Sequence, residues 1–401
     1  MTLLLGRQLT AIPAGVWVLG FVSMLMDVSS EMIHALLPLY LVLAFNASAL
    51  TVGMIEGTAE ATALITKVFS GTLSDWLGKR KFLAALGYGL AALTKPIFPL
   101  GASIDWLMAA RFVDRIGKGI RGAPRDALLA DLSPADMRGA SFGLRQSLDT
   151  VGAFAGPLLA IALMWSTRDN FTQVFWFAVL PAFLSFFLIA VAVKEPEREP
   201  GLRKIKNPLS RAELYALGSA YWWVVAITAV FTLARFSEAF LILKAQSAGL
   251  FLWLVPGVLV AMNIAYALSA YPAGAISDRV GRGTVLIVGL VTLAAADAVL
   301  ALAGTVPGVA LGVILWGFHM GLTQGVLATL VADTSPAELR GTAFGFFNLA
   351  SGAATLLANL VAGALWDAIG PTATFLGGAI FTAVALTALI FARNRLAILN
   401  V

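Results

Sequence analysis

Apolar runs of about 20 residues recur along the whole 401-residue chain, separated by short polar loops, and this spacing limits what it can fold into. A helix of that length spans the hydrocarbon core of a bilayer. It also satisfies its own backbone hydrogen bonds, as a lipid-embedded segment must. Hydrophobic residues make up 59% of the chain and charged residues only 12%, against about a quarter charged in soluble domains. The expected fold is an all-α polytopic membrane protein. Twelve spans are predicted, over 14–44, 51–74, 82–100, 106–122, 141–165, 172–193, 214–244, 250–273, 284–304, 308–330, 343–365 and 372–392. The first is too long for a cleaved signal peptide and reads as a spanning helix. Cysteine is absent and histidine occurs twice, which excludes disulfides, thiolate sites and a multi-His metal cage. No metal and no cofactor is expected.

Loop charge predicts orientation. With the N-terminus in the cytoplasm, Arg7, Lys79–Lys81, Lys118–Arg138, Lys194–Arg211, Arg279, Arg282, Arg340, Arg393 and Arg395 fall inside. The opposite loops keep only Arg168, with Lys244 at a helix edge. Both termini are then cytoplasmic, and the net charge of +5 reports topology, not nucleic-acid binding. The longest polar stretch, Lys194 to Arg211, carries Pro196, Pro200, Gly201 and Pro208 and reads as a solvated connector. Two six-helix bundles are expected, over 1–193 and 214–401, joined by a cytoplasmic linker at 194–213.

The halves repeat. Gly71-Thr-Leu-Ser-Asp75-Trp-Leu-Gly78-Lys79 returns as Gly274-Ala-Ile-Ser-Asp278-Arg-Val-Gly281-Arg282, 203 residues on. Asp131-Leu-Ser-Pro134 with Arg138-Gly139 returns as Asp333-Thr-Ser-Pro336 with Arg340-Gly341, 202 residues on. Two parallel six-span repeats with a basic central loop mark a transporter whose halves rock about a midplane site. In the loop repeat, Gly71 and Gly78 would permit a tight turn and close approach. Asp75 could pair with a basic residue or a helix N-terminus. Gly71, Asp75, Gly78, Lys79 and Arg80, with Gly274, Asp278, Gly281 and Arg282, are the candidate conformational latch.

These motifs resemble those of the major facilitator superfamily. Gly71-x-x-x-Asp75-x-x-Gly78-Lys79-Arg80 is similar to its loop signature, and 274–282 stands where the second copy belongs. Arg111-Phe-Val-Asp-Arg-Ile-Gly117-Lys-Gly119 resembles its fourth-span motif, whose arginine is implicated in proton coupling; Arg115 stands where a glycine is usual. Gly152-Ala-Phe-Ala-Gly156-Pro157 resembles the fifth-span motif associated with exporters. Asp27-x-x-Ser-Glu-Met-Ile, with Arg125-Asp-Ala-Leu128, looks like a bacterial branch of the superfamily. The resemblance implies two pseudo-symmetric bundles, a cavity lined by spans 1, 4, 7 and 10, and a location in the bacterial cytoplasmic membrane.

The intramembrane charges agree with that lining. Asp27, Glu31 and His34 form one stripe on span 1. Each acid should cost roughly 2.5–3.5 kcal/mol at the bilayer centre, so none is expected to face lipid. Span 4 holds Arg111, Asp114 and Arg115, span 7 holds Arg235 and Glu238, and span 10 holds His319 and Gln324. Asp27 and Glu31 are close like charges in low dielectric, which suits exchange between a proton and a cationic or polar cargo. Arg111 and Arg115 are the expected counter-charges. Arg145 and Asp149 are the expected structural pair on span 5, and Glu56, Glu60 and Lys67 share a face of span 2. Spans 3 and 9 carry one charge each, Lys95 and Asp297, placed toward the outer side. Trp165 and Trp366 read as interface anchors, and Trp253 falls inside span 8.

The expected activity is proton-coupled export of a small molecule by a monomer in the lipid bilayer, with no nucleic-acid partner and no catalysis. A divalent metal or metal-chelate transporter of the same fold is the alternative, and a transport-inactive sensor or an intramembrane enzyme is the alternative from another class. No Gly-x-x-x-x-Gly-Lys-[Ser/Thr] loop occurs, so ATP hydrolysis is not the expected energy source.

Overall fold

A computed structural model describes residues 12–77, 79–134, 137–195, 215–336 and 339–395. The helices are α1 (Ala14–His34), α2 (Leu37–Phe45), α3 (Ala49–Leu77), α4 (Arg80–Thr94), α5 (Ile97–Leu100), α6 (Ile104–Leu132), α7 (Arg138–Ser166) and α8 (Phe171–Ala192). They continue as α9 (Gly218–Ala234), α10 (Ala239–Ser247), α11 (Gly257–Val280), α12 (Arg282–Leu302), α13 (Val306–Thr334), α14 (Arg340–Ala368) and α15 (Pro371–Arg395). No strand occurs among the described residues. Spans 1, 3 and 7 are each two consecutive helices, α1–α2, α4–α5 and α9–α10, so the fifteen helices make twelve passages.

Ten of the passages are long and apolar enough to cross a membrane by composition alone. The other two, α3 and α6, are 29 residues each and carry too many charges to pass that test. The surface agrees with a lipid environment. Leu180, Val191 and Leu302 are 71%, 82% and 83% exposed, with many other large apolar side chains, a surface that water would not tolerate.

The repeat is accurate to the residue. α2 and α10, α6 and α13, and α7 and α14 have boundaries displaced by 202 positions at both ends, as do the starts of α4 and α12. Two helix breaks also correspond. The chain leaves helical geometry at Ala35–Leu36 and again at Arg235–Ser237. The second break is held by Asn359 of α14, whose Oδ1 accepts from the Ser237 backbone N–H at 2.9 Å. Interrupted helices at matching positions of two repeats mark the binding region in transporter folds.

Span 4 is longer than expected. The prediction stops at residue 122, before Pro124 and the charges beyond it, yet α6 runs on to Leu132 with Pro124 inside. Arg125 and Asp126 are therefore helical. Trp253 lies in a 3-10 turn over Leu252–Leu254, at the start of the span predicted to hold it. It stacks on Phe251 with ring centres 6.3 Å apart. Trp165 is 69% exposed, whereas Trp366 packs on Phe240 and Phe375.

Contacts divide the chain into two units, Met1–Leu37 with Ile65–Ile205, and Pro38–Leu64 with Lys206–Val401. In the first, α1 packs on α7 and α8, and α4 packs on α6. Its core gathers Val16, Leu19, Val22, Met26, Tyr88 and Leu128. In the second, α13 packs on α11 and α12, and α15 packs on α12, about a core that includes Tyr221, Leu286, Leu290 and Leu330.

The start of α3 belongs to the second unit and is fastened to α14. A methyl group at Gly363 would stand 2.6 Å from the Leu50 Cα, and one at Gly57 would stand 2.9 Å from the Asn359 Cβ. These glycines let two backbones approach, as small residues do between membrane helices. Asp367 then caps α3 from outside, accepting from the Ala49 and Leu50 backbone N–H groups at 2.9 Å each. A carboxylate there satisfies otherwise unpaired donors and complements the helix dipole. Asp367→Ala is expected to lower stability by about 1 kcal/mol, read from equilibrium unfolding in mixed micelles. An unchanged midpoint would show that water replaces the cap at no cost.

Candidate functional site

Helix α1 carries the acid stripe, and α7 sets its depth. Asp27, Glu31 and His34 are each half-buried, while Val28, Ser29, Ser30, Met32 and Ile33 between them are buried. Two glycines of α7 sit directly behind the acids. A methyl at Gly152 would lie 2.6 Å from the Met24 carbonyl and 2.9 Å from the Asp27 Cβ. At Gly156 it would lie 2.7 Å from the Glu31 Cβ. The Gly152-x-x-x-Gly156 spacing is therefore a notch into which the acid-bearing turns of α1 fit.

Several cations of α6 surround the stripe and its neighbours. Arg111 is buried and donates through NH2 to His34 Nδ1 at 2.8 Å. Arg115 is buried with its Nε 3.8 Å from Asp114 Oδ2. Asp27 lies in the field of Asp149, Arg121, Lys118 and Glu31. Arg111 and Arg115 thus also contact His34 and Asp114. Residues 118 and 121 stand about two and nearly three turns further along α6 than Arg111. Arg121 is also held over the Tyr88 ring, 4.9 Å from its centre.

Sequence places Lys95 toward the outer side of its span but does not give its partners. It is 1% exposed. Its Nζ donates to Asp114 Oδ1 at 2.8 Å and to Ser30 Oγ at 3.1 Å. Lys95 stands immediately before Pro96, between α4 and α5, and a lone lysine beside a proline in an apolar run was the available signal.

A second polar group follows along α6 and α7. Arg145 pairs with Asp149 at 2.8 Å and lies 3.6 Å from Asp126. Arg125 contacts Asp126 at 3.0 Å and donates to Ser23 Oγ at 3.1 Å. Arg125 and Asp126 were absent from the predicted site because the helix was ended too early.

In the second unit, Arg235 and Glu238 are half-buried at the break between α9 and α10. With the Gln324 amide oriented to satisfy its neighbours, its oxygen accepts from Arg235 NH1 and NH2 at 2.9 and 3.2 Å. The Glu238 carbonyl accepts from the Leu241 and Ile242 N–H groups and starts α10. His319 lies on α13. It is fully buried, its Nδ1 is bonded to the Gly289 carbonyl at 2.9 Å, and its ring packs on Phe231. Its face of α13 turns toward α12, so it lines no open surface. Among the described residues, no three His, Cys, Asp or Glu side chains are placed to hold a metal ion.

The candidate latch residues resolve in part. Arg80 NH1 pairs with Asp131 Oδ2 at 2.5 Å and donates to the Ala127 carbonyl at 3.0 Å. Its repeat equivalent Arg282 pairs with Asp333. The basic residue of each loop motif is thus tied to the acid of the other repeated motif in the same unit. Gly281 has φ +85°, a left-handed conformation that glycine adopts without strain. Close approach does not explain the other glycines. A methyl at Gly71 would meet Ala123 at an ordinary 3.5 Å, and one at Gly274 would meet nothing within 4 Å. Lys79 is exposed. Gly78 and the side chains of Asp75 and Asp278 lie outside the described residues.

A repeated bundle of membrane helices, with helix breaks at matching positions and ionisable side chains turned inward, defines a secondary-transporter fold. The Major Facilitator Superfamily model matches residues 19–262 and 243–399, and the chain belongs to that family. It is 33% identical over 387 residues to an uncharacterised MFS-type transporter of Methanocaldococcus jannaschii, covering 94% of each chain. It is 25% identical over 221 residues to the quinolone resistance protein NorA of Staphylococcus aureus, covering 54% of each. A crystal structure of a mutant of the nucleoside transporter NupG superposes with a TM-score of 0.79 at 14% identity, covering 94% of this chain and 99% of that one. The fold is shared with that protein. The protein is a multi-pass membrane transporter, and transporters of this family are not enzymes.

Proposed function

We propose that this chain is a proton-coupled exporter that exchanges protons for a cationic or polar small molecule by alternating access. The observation that carries the reading is the stripe of Asp27 and Glu31, half-buried, seated in the Gly152–Gly156 notch and lying in the field of Lys118 and Arg121. Two nearby carboxylates in low dielectric form a site for either a proton or the positive charge of the cargo. Cations close by ease release of that proton without filling the site. His34, oriented by Arg111, adds a group able to donate or accept at the head of the stripe. Arg235 and Glu238 are the residues we assign to cargo contact in the second unit.

Export is supported by the fifth-span glycines and by the partial similarity to a quinolone resistance protein. Placement in the cytoplasmic membrane with both termini inside is supported by the loop lysines and arginines. The paired Arg80–Asp131 and Arg282–Asp333 contacts fit a role for the loop motifs in holding one conformation. The test is proton flux in proteoliposomes, driven by a panel of lipophilic cations and organic acids. Asp27→Asn and Glu31→Gln should each abolish cargo-dependent flux while the unfolding midpoint stays at wild type. Unchanged flux in both variants would sink the coupling assignment.

A further inference from the structure

Asp297 of α12 has 0% of its surface exposed, and neither carboxyl oxygen meets a hydrogen-bond partner among the described residues. Around it the packing is close. A methyl at Gly378 of α15 would stand 2.8 Å from Asp297 Oδ2 and 3.1 Å from Phe236 Cε1. Phe236, at the break between α9 and α10, packs on Trp316 of α13 and Phe375 of α15 with ring centres 5.3 and 5.5 Å apart. Trp316 is also fully buried, and its indole N–H has no acceptor. Gly312 against Leu300 and Gly289 against Thr323 set the register of α13 on α12, which brings Trp316 level with Asp297.

No charged side chain among the described residues lies close enough to offset this burial. On α13, His319 is bonded to Gly289, eight residues and about 12 Å along α12 from Asp297. Asp333 stands at the far end of α13. On α11, Tyr266, Asp278 and Arg279 stand in the middle and at the far end. On α15, Arg393 and Arg395 close the helix. Arg235 is held by Gln324, Glu238 starts α10, and Lys244 sits in its last turn.

The repeat shows what is unusual here. Displaced by 202 positions, Asp297 corresponds to Lys95 and Trp316 to Asp114. In the first unit these positions hold a buried cation bonded to a buried anion, which together are neutral. In the second they hold an acid and an indole, which are neutral only when the acid carries a proton. An isolated ionised carboxylate in such a place is strongly disfavoured, and the group neutralises instead. We propose that Asp297 is a proton-binding site, occupied in this conformation and separate from the acid stripe on α1. Its proton can leave only when the packing of α12, α13 and α15 opens to water, so its occupancy is tied to conformation. The proposal does not rest on the coupling role of Asp27 and Glu31.

Infrared spectroscopy of the full chain in lipid at neutral pH tests it. Wild type should show a carbonyl-stretch component of a buried protonated carboxylic acid that Asp297→Asn loses, one group per chain, whatever the acids of α1 contribute. Identical spectra in this region would overturn the proposal. A sodium-dependent rise in wild-type thermal midpoint that Asp297→Asn lacks would also overturn it, by making a metal cation the occupant. Should Asp297→Asn fail to fold, Asp297→Glu should shift the band, and a band left in place would count against Asp297 as its source.

Discussion

Lys95→Met is expected to destabilise the folded protein by about 3–5 kcal/mol, the cost of stranding one partner of a buried ion pair. Lys95 and Asp114 have side chains 1% and 4% exposed and meet at 2.8 Å. Without the ammonium, Asp114 keeps an Arg115 Nε at 3.8 Å, too long for a hydrogen bond, and water cannot reach it. Ser30 loses its contact at the same time. Adding Asp114→Asn to Lys95→Met should recover part of the loss, because the stranded carboxylate is removed while Arg111 and Arg115 stay buried. Equilibrium unfolding in mixed micelles reads both variants. A single variant with the wild-type midpoint would show that the pair contributes nothing net. A double variant no better than the single would show that packing of the lysine stem, not charge, is what matters.

Gly53→Leu should disrupt the attachment of α3 to α14 and cost at least the roughly 1–3 kcal/mol of an overpacked core. The Cβ alone would stand 2.4 Å from the Asn359 backbone oxygen and 3.1 Å from Phe240 Cζ. A backbone carbonyl cannot rotate aside as a flexible side chain can, so the helices must part. Asn359 also holds the Ser237 N–H at the break between α9 and α10, and displacement of α14 should disturb that break and impair transport. Gly71→Ala is the matched control. Its methyl would meet Ala123 at 3.5 Å, an ordinary contact, and alanine in a helix interior is favoured over glycine by about 0.5–1 kcal/mol. Equal stability of Gly53→Leu and wild type would disprove the close packing, and loss in Gly71→Ala would restore a packing role to the loop-motif glycine.

The two glycines separate what spacing reveals from what it does not. Gly71 belongs to a motif that repeats 203 residues later and is conspicuous in the sequence, yet it packs on nothing tightly. Gly53 belongs to no motif, and its role arises from a helix three hundred residues away. The acid stripe was legible because period and polarity are local properties: Asp27, Glu31 and His34 must share a face of any helix that contains them. The glycines at 152 and 156 were legible as a motif, but that they seat Asp27 and Glu31 is a matter of how α7 meets α1.

The sequence alone determined the membrane class, the helical passages, the repeat and the inward face of α1. Hydrophobic length and helical period act within one segment, and the bilayer leaves a single way to satisfy the backbone. Tertiary structure decided which charges meet. Lys95 found Asp114, Arg111 found His34, Asp367 found the start of α3, and Asp297 found no hydrogen-bond partner among the described residues. These outcomes depend on the axial register between packed helices. Small residues fix that register by allowing backbones to touch, and no periodicity within a single helix encodes it.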